Sequence, residues 1–241
     1  LGKDQKKWNN SLKSFLSRLR WHCHFIQKLE DEPSLEFKPM NIMYEGLRQN
    51  FNLAYLNAWK KGETGYPMVD ASMRCLISTG WLNFRMRAML VSFACNNLWI
   101  DWKIVAENLG PLFVDYEPGI HYPQVQMQAG ITGINTVRIY NPIKQGLDHD
   151  PNGLFIKRWV PELKSTHKAI IHTPWLDQNN KYIIPIVDEA ISRKAAADKI
   201  YEIRRRKDHR EHSGRVLKKH GSRKRKSIQN NKIINNQLNL L

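Results

Sequence analysis

Apolar positions recur with a helical period along most of this chain. From Ser11 to Leu29 they fall at Leu12, Phe15, Leu16, Leu19 and Phe25/Ile26, one face of a helix for which Ser11 is a ready N-cap. The stretch EDEPSLEFKP breaks that period, and a helical pattern resumes from Tyr44 to Lys61, where Gly62 and Gly65 stop it. Pro67 then takes a first helical position, where its missing N–H is not needed, and Val69, Met73, Leu76 and Ile77 form one face before Gly80 ends the element. The next predicted helix, Trp81 to Leu98, is apolar almost all round and is expected at the centre of the core. Gly110 to Gly153 is rich in proline and glycine and reads as loop, with little room for a long helix. A short helix closed by Pro161 follows, and then a last amphipathic one from Ile186 to about Arg206, with Asp188 and Glu189 in its first turn. Period-two alternation is nearly absent and no internal repeat is visible, so the expected fold class is mostly α.

The central helix poses a question, because Arg85 and Arg87 stand in its middle. A guanidinium keeps its charge, so one placed against a core needs a carboxylate, a phosphate or a cavity. Arg87 shares a face with Leu90, Val91 and Ala94, and its charge is expected to point inward.

Composition narrows the setting. With 241 residues, 41% of them hydrophobic, the chain can bury a sizeable core. No apolar run approaches the ~18 residues of a membrane span, and the polar start LGKDQKKW does not read as a signal peptide, so a cytoplasmic protein with no membrane partner is expected. Cys23, Cys75 and Cys95 lack CxxC spacing, which excludes a zinc or iron–sulfur reading and leaves them as expected buried thiols. The formal net charge of +16 favours a polyanionic partner such as nucleic acid. Between Tyr201 and Lys226 twelve Lys/Arg face three Asp/Glu, a net +9 that leaves +7 elsewhere. This segment reads equally well as a solvated arm or as one that tracks DNA.

Four stretches resemble the photolyase/cryptochrome flavoproteins, specifically their helical FAD-binding lobe. AWKKGETGYPMVDASMRCLISTGWLNFRMR (Ala58 to Arg87) is similar to the family's AW-x-x-G-x-TGYP-x-VDA-x-MR-x-L-x-x-TGW-x-x-x-R-x-R. LWIDW (Leu98 to Trp102), RIYNPIKQGLDHDPNGLFIKRWVPEL (Arg138 to Leu163) and PIVD (Pro185 to Asp188) carry the rest. Residues 1–206 are accordingly expected to form the FAD-binding lobe, incomplete at its N-terminus, with 207–241 as a basic, flexible tail. The α/β antenna domain and the loop that cradles the FAD phosphates in this family are missing from this sequence, which reads as a fragment.

The resemblance implies roles for individual residues. Arg87 would pair with Asp115 of the DYE element beside the isoalloxazine ring, with Tyr116 between the two acids and Glu117 accepting the imide N–H of the flavin. Phe15 would lie near the adenine, and His121 would sit against flavin N5, where the family usually has asparagine. Trp21 would flank a pocket for a flipped-out pyrimidine dimer, with Met127 where the family has a second tryptophan wall. Arg18, His22, Phe84, Arg85 and Gln145 would meet damaged DNA, and Trp102 would belong to an electron relay. His121, Trp21 and Met127 are thus the expected catalytic set, FAD the cofactor, and a monomer the expected state. No metal is implied.

The departures fall at the active centre. Arg18 stands where repair enzymes of the family often carry glutamate, and the other relay positions fall on Val125 and Gln49, neither of which donates electrons. Tyr122, Tyr140 and Trp99 offer a different relay. Two main readings follow: light-driven repair, in which reduced FAD passes an electron to a pyrimidine dimer, and a cryptochrome-like photoreceptor without repair activity. A DNA-binding lobe that has lost its cofactor is the third.

Overall fold

The computed structural model describes residues 2–221 and is helical throughout, with no strand among the described residues. α1 runs from Gly2–Asp31, and α2 (Leu53–Lys61) is capped by the Asn52 side chain, which accepts the Ala54 N–H. α3 (Pro67–Thr79) starts on Pro67 and stops at Gly80, whose φ of 70° satisfies the left-handed C-cap that a side chain would strain. α4 (Phe84–Ser92) is capped by Asn83 and lies buried at the centre, as its all-round apolar pattern requires. It continues as one π-helical turn, Phe93–Asn97, so the expected single helix to Leu98 changes its winding five residues early.

α5 (Trp102–Leu109), α6 (Pro118–Gln128), α7 (Pro142–His149) and α8 (Leu154–Trp159) follow, then α9 (Glu189–Arg205), whose Asp188 cap accepts from Ile191 N. α3 packs on α4, α7 and α8, α4 packs on α6, and α9 covers the π turn. Trp59, Met73, Leu76, Met89, Leu90 and Phe93 fill the shared core.

Four expectations are corrected. The 110–153 segment holds an eleven-residue helix, α6. Pro118 is harmless at its first position, and the cost of the internal Pro123, about 3 kcal/mol, is carried by packing on α1, α4 and α5. Tyr44 to Lys61 is not one helix: a 3₁₀ turn (Ile42–Tyr44) and an irregular stretch precede α2, because Arg48 there reaches into the core. Cys23 is exposed on α1, whereas Cys75 and Cys95 are buried. The tail expected from residue 207 is, over Lys207–His220, a helix, α10, with His209, Val216 and His220 turned inward; residues 222–241 lie outside the described residues.

Arg48 has no counterpart in the sequence reading. Its guanidinium is about 1% exposed and donates to Cys95 O (2.6 Å), Asn96 Oδ1 (2.9 Å) and Ala129 O (2.8 Å), all neutral acceptors. The π turn presents the Cys95 carbonyl to it, and burial holds the Arg48 pKa below its ordinary value.

Candidate functional site

A partly open cleft with an enclosed volume of about 150 Å³ separates α4 from α6. Helical spacing explains its walls. Phe84, Arg87, Ala88 and Val91 form one stripe of α4; Glu117, Ile120/His121, Gln124 and Gln128 form the facing stripe of α6. α1 packs on α6 and crosses it at Gly119. A Cβ there would lie 2.7 Å from the Ile26 Cα, so only glycine permits the approach.

Arg87 finds the partner its position called for. Its Nη2 lies 3.0 Å from Asp115 Oδ2, its Nε donates to Leu82 O at 2.6 Å, and its Cζ stands 4.3 Å from the Phe113 ring. The pair sits at the cleft mouth, with the Arg87 side chain 23% and Asp115 51% exposed, so the charge expected to point inward meets its partner beside solvent. Glu117 caps α6 through Oε1, which accepts the Gly119 N–H at 3.1 Å.

His121 is the most constrained group in the cleft. Its Nε2 lies 2.9 Å from the Ala106 carbonyl, which can only accept, so Nε2 carries the proton and Nδ1 is left as an acceptor. Burial lowers its pKa below 6.5, outweighing the Ala106 bond, and Arg87 lowers it further. Tyr116, Tyr122 and Phe113 surround the imidazole at ring distances of 5.2, 5.4 and 6.0 Å. Tyr122 donates to Glu36 Oε1 at 3.2 Å, and burial pushes its phenol upward.

Of the residues singled out from the sequence, Phe84, Arg87, Asp115, Tyr116, Glu117 and His121 converge on this cleft, and Val125 lines it too. Phe15, Arg18, Trp21 and His22 lie exposed on α1 outside its lining, with the Arg18 guanidinium 5.4 Å from the Trp21 ring; Arg85 is exposed at the start of α4. Met127 and Trp102 do not line the cleft, and Trp102 is packed in the core. Gln145 departs from its expected surface role: it is buried in α7, its Oε1 without a hydrogen-bond partner among the described residues. α7 lays Gln145 and Gly146 against the body, and Gly146 packs beside His172.

Gln124 was missed by the sequence reading. Its Oε1 is buried at the cleft wall with no hydrogen-bond partner among the described residues, an acceptor awaiting a donor. The i, i+3/4, i+7 spacing from Glu117 would have found it, had the segment been read as helix. An apolar slot with a cation at its mouth and free acceptors at Gln124 and His121 fits a flat heteroaromatic ring with N–H donors, such as flavin.

Among the described residues no helix is long and apolar enough to cross a membrane, and no His/Cys/Asp/Glu group could hold a metal. Residues 15–202 match the family described as FAD binding domain of DNA photolyase. A deoxyribodipyrimidine photo-lyase of Alkalihalophilus pseudofirmus is 32% identical over 77% of this chain and 42% of its own length. A cryptochrome DASH of Danio rerio is 40% identical over 54% of this chain and 25% of its own. Among solved structures, the archaeal photolyase from Sulfolobus tokodaii with two FAD molecules superposes with a TM-score of 0.75 and 32% identity, over 78% of this chain and 44% of that one. The chain thus spans less than half the length of these relatives.

Proposed function

Because this chain belongs to the photolyase/cryptochrome flavoproteins through their FAD-binding helical lobe, we propose that it is the catalytic lobe of a light-driven DNA-repair protein acting on pyrimidine dimers. The observation that carries the proposal is the convergence of Arg87, Asp115, Glu117, His121 and the unpartnered Gln124 on one apolar cleft. FAD, when bound, supplies the light absorption and the electron that opens the dimer. Asp115 holds the Arg87 guanidinium at the mouth. Glu117 keeps one carboxylate oxygen beyond its capping bond, and Gln124 Oε1 and His121 Nδ1 face the ligand as acceptors, since Ala106 fixes the imidazole proton on Nε2. Phe113 and Tyr116 form part of the cleft wall. Trp21, Arg18, Phe84 and Arg85 meet the damaged strand, the aromatics by stacking on an extruded base and the arginines by phosphate contact. Gln145, being buried, has no part in it.

The test is illumination of the flavin-loaded, reduced protein with an oligonucleotide containing thymine dimers; loss of dimers in light and not in darkness is the expected result. A protein that carries flavin and leaves the dimers intact overturns repair. That outcome favours the second reading, a cryptochrome-like photoreceptor, which is motivated by the cation Arg18 one helical turn from Trp21 and by the likeness to the cryptochrome DASH.

A further inference from the structure

A phenol–carboxylate pair stands directly behind the cleft wall. Tyr122 is buried on α6 and its phenol donates to Glu36 Oε1 at 3.2 Å. Gln126, one helical turn further along, sets this register. Its Nε2 donates to Leu35 O (2.8 Å) and Lys38 O (3.0 Å) and its Oε1 accepts the Met40 N–H (2.6 Å), which pins the 3₁₀ turn Pro33–Glu36 against the Tyr122 side of α6. The Tyr122 ring lies 5.4 Å, centroid to centroid, from His121, which lines the cleft. Burial pushes the Tyr122 phenol upward, and the neighbouring Tyr116 and Glu36 add to the rise, so the proton stays on oxygen in the resting protein. The other aromatic groups are less well placed. Among the described residues no tryptophan lines the cleft. Tyr66 donates to the Val187 carbonyl, which cannot take a proton. Tyr44 with His209 and Tyr182 with Asp70 each meet a base, but neither phenol lines the cleft or stacks on a residue that does.

We propose that Tyr122 is the residue that supplies an electron to the oxidised flavin of this cleft in light, with Glu36 taking the phenol proton. An oxidised phenol is a strong acid, so a tyrosine gives up an electron readily where a base already holds its hydrogen bond. One electron leaves Tyr122 for the light-excited flavin, the O–H bond breaks, and the proton joins the Glu36 carboxylate. A neutral tyrosyl radical and a carboxylic acid remain. Glu36 is only half-buried, so its proton can pass on to water, and a thiol in solution restores the phenol by giving the radical one hydrogen atom. The inference rests on flavin occupying the cleft, as in the proposed function, and not on repair of DNA.

The experiment illuminates the full chain, loaded with oxidised flavin, in the presence of dithiothreitol. Two quantities are read: the electron paramagnetic resonance of samples frozen under light, and the rate at which the flavin absorption bleaches in H₂O and in D₂O. The wild-type chain is expected to show a neutral tyrosyl radical and to bleach more slowly in D₂O. Tyr122→Phe should lose the radical signal and bleach severalfold more slowly. Glu36→Gln keeps an oxygen to accept the phenol hydrogen bond but no carboxylate to take the proton. It should therefore melt as wild type by circular dichroism, yet lose the D₂O effect and bleach severalfold more slowly, which a merely structural role would not produce. Tyr140→Phe, on a partly buried residue outside the cleft lining, should leave both readouts at wild-type values. A tyrosyl signal that persists in Tyr122→Phe, or an unaltered rate and D₂O effect in Glu36→Gln, overturns the inference. Should Tyr122→Phe melt early or load poorly, Glu36→Gln decides alone. A chain that takes up no flavin overturns the reading of the cleft and this inference with it. A loaded chain whose flavin fails to bleach, or bleaches without a tyrosyl signal, overturns the inference and leaves the cleft reading standing.

Discussion

Arg48 and Arg87 both reach into the body of this protein, and they are solvated in opposite ways. Arg48 is sealed in the core, its guanidinium held by two backbone carbonyls, an asparagine oxygen and the Trp99 ring 4.7 Å away. Arg87 stands at a cleft mouth with a carboxylate on one side, an aromatic face on another and solvent in reach. The first arrangement holds the chain together: Arg48 ties the π turn, through Cys95 and Asn96, to the end of α6 at Ala129. The second leaves charge available to a ligand. A carboxylate partner is therefore a poor guide to burial here, and the more deeply buried cation is the structural one.

Breaking the comparison at its structural end has the largest effect. Arg48→Ala strands two carbonyls and an amide oxygen in the core and opens a cavity, and is expected to lower stability by about 3–5 kcal/mol. A urea midpoint unchanged from wild type would show that those acceptors find other partners. At the other end, Arg87→Ala is expected to cost at most about 1 kcal/mol in the same assay, since half of Asp115 is already in water. Its effect belongs instead to the cofactor. The bound flavin-to-protein ratio after purification should fall severalfold, and full occupancy would mean that the pair does not serve the ligand.

A further expected effect is a pH dependence that separates His121 from its surroundings. Its folded pKa lies below the ordinary 6.5, so the unfolded chain binds the proton more readily. The stability this group contributes is complete above 6.5 and is lost as pH falls through its folded pKa. His24, His172, His209 and His220 are lowered too, chiefly by burial, and steepen the same acid limb. His121→Asn should flatten the limb by up to about 1.4 kcal/mol per pH unit, leaving the rest in place. An unaltered slope would mean that His121 titrates equally in both states.

Legibility from sequence followed the range of the interactions involved. The helices α3 and α9 were readable because Pro67, Gly80 and Asp188 act within a turn of their own position. Arg87 was readable because a charge inside an apolar stripe demands a partner. α6 was not, since Pro118, Gly119 and Pro123 look like loop residues one by one. Their helix forms because Glu117 caps it and α1 crosses closely at Gly119, a contact between residues 93 positions apart (119 − 26). Gln124 was lost with that helix, although its spacing from Glu117 was correct. The exposure of Cys23, the burial of Gln145 and the helical start of the supposed tail depended in the same way on what lay opposite them.

The sequence by itself determined that the chain is helical, strongly basic, and of a family whose motif pairs an inward arginine with a loop acid. Local hydrogen bonding and side-chain volume suffice for that. Only the tertiary structure decided that Asp115 faces water, that Arg48 rather than Arg87 carries the buried charge, and that α10 folds back onto α1. Burial and desolvation depend on surfaces brought together from distant positions, and no window of sequence contains both sides of such a contact.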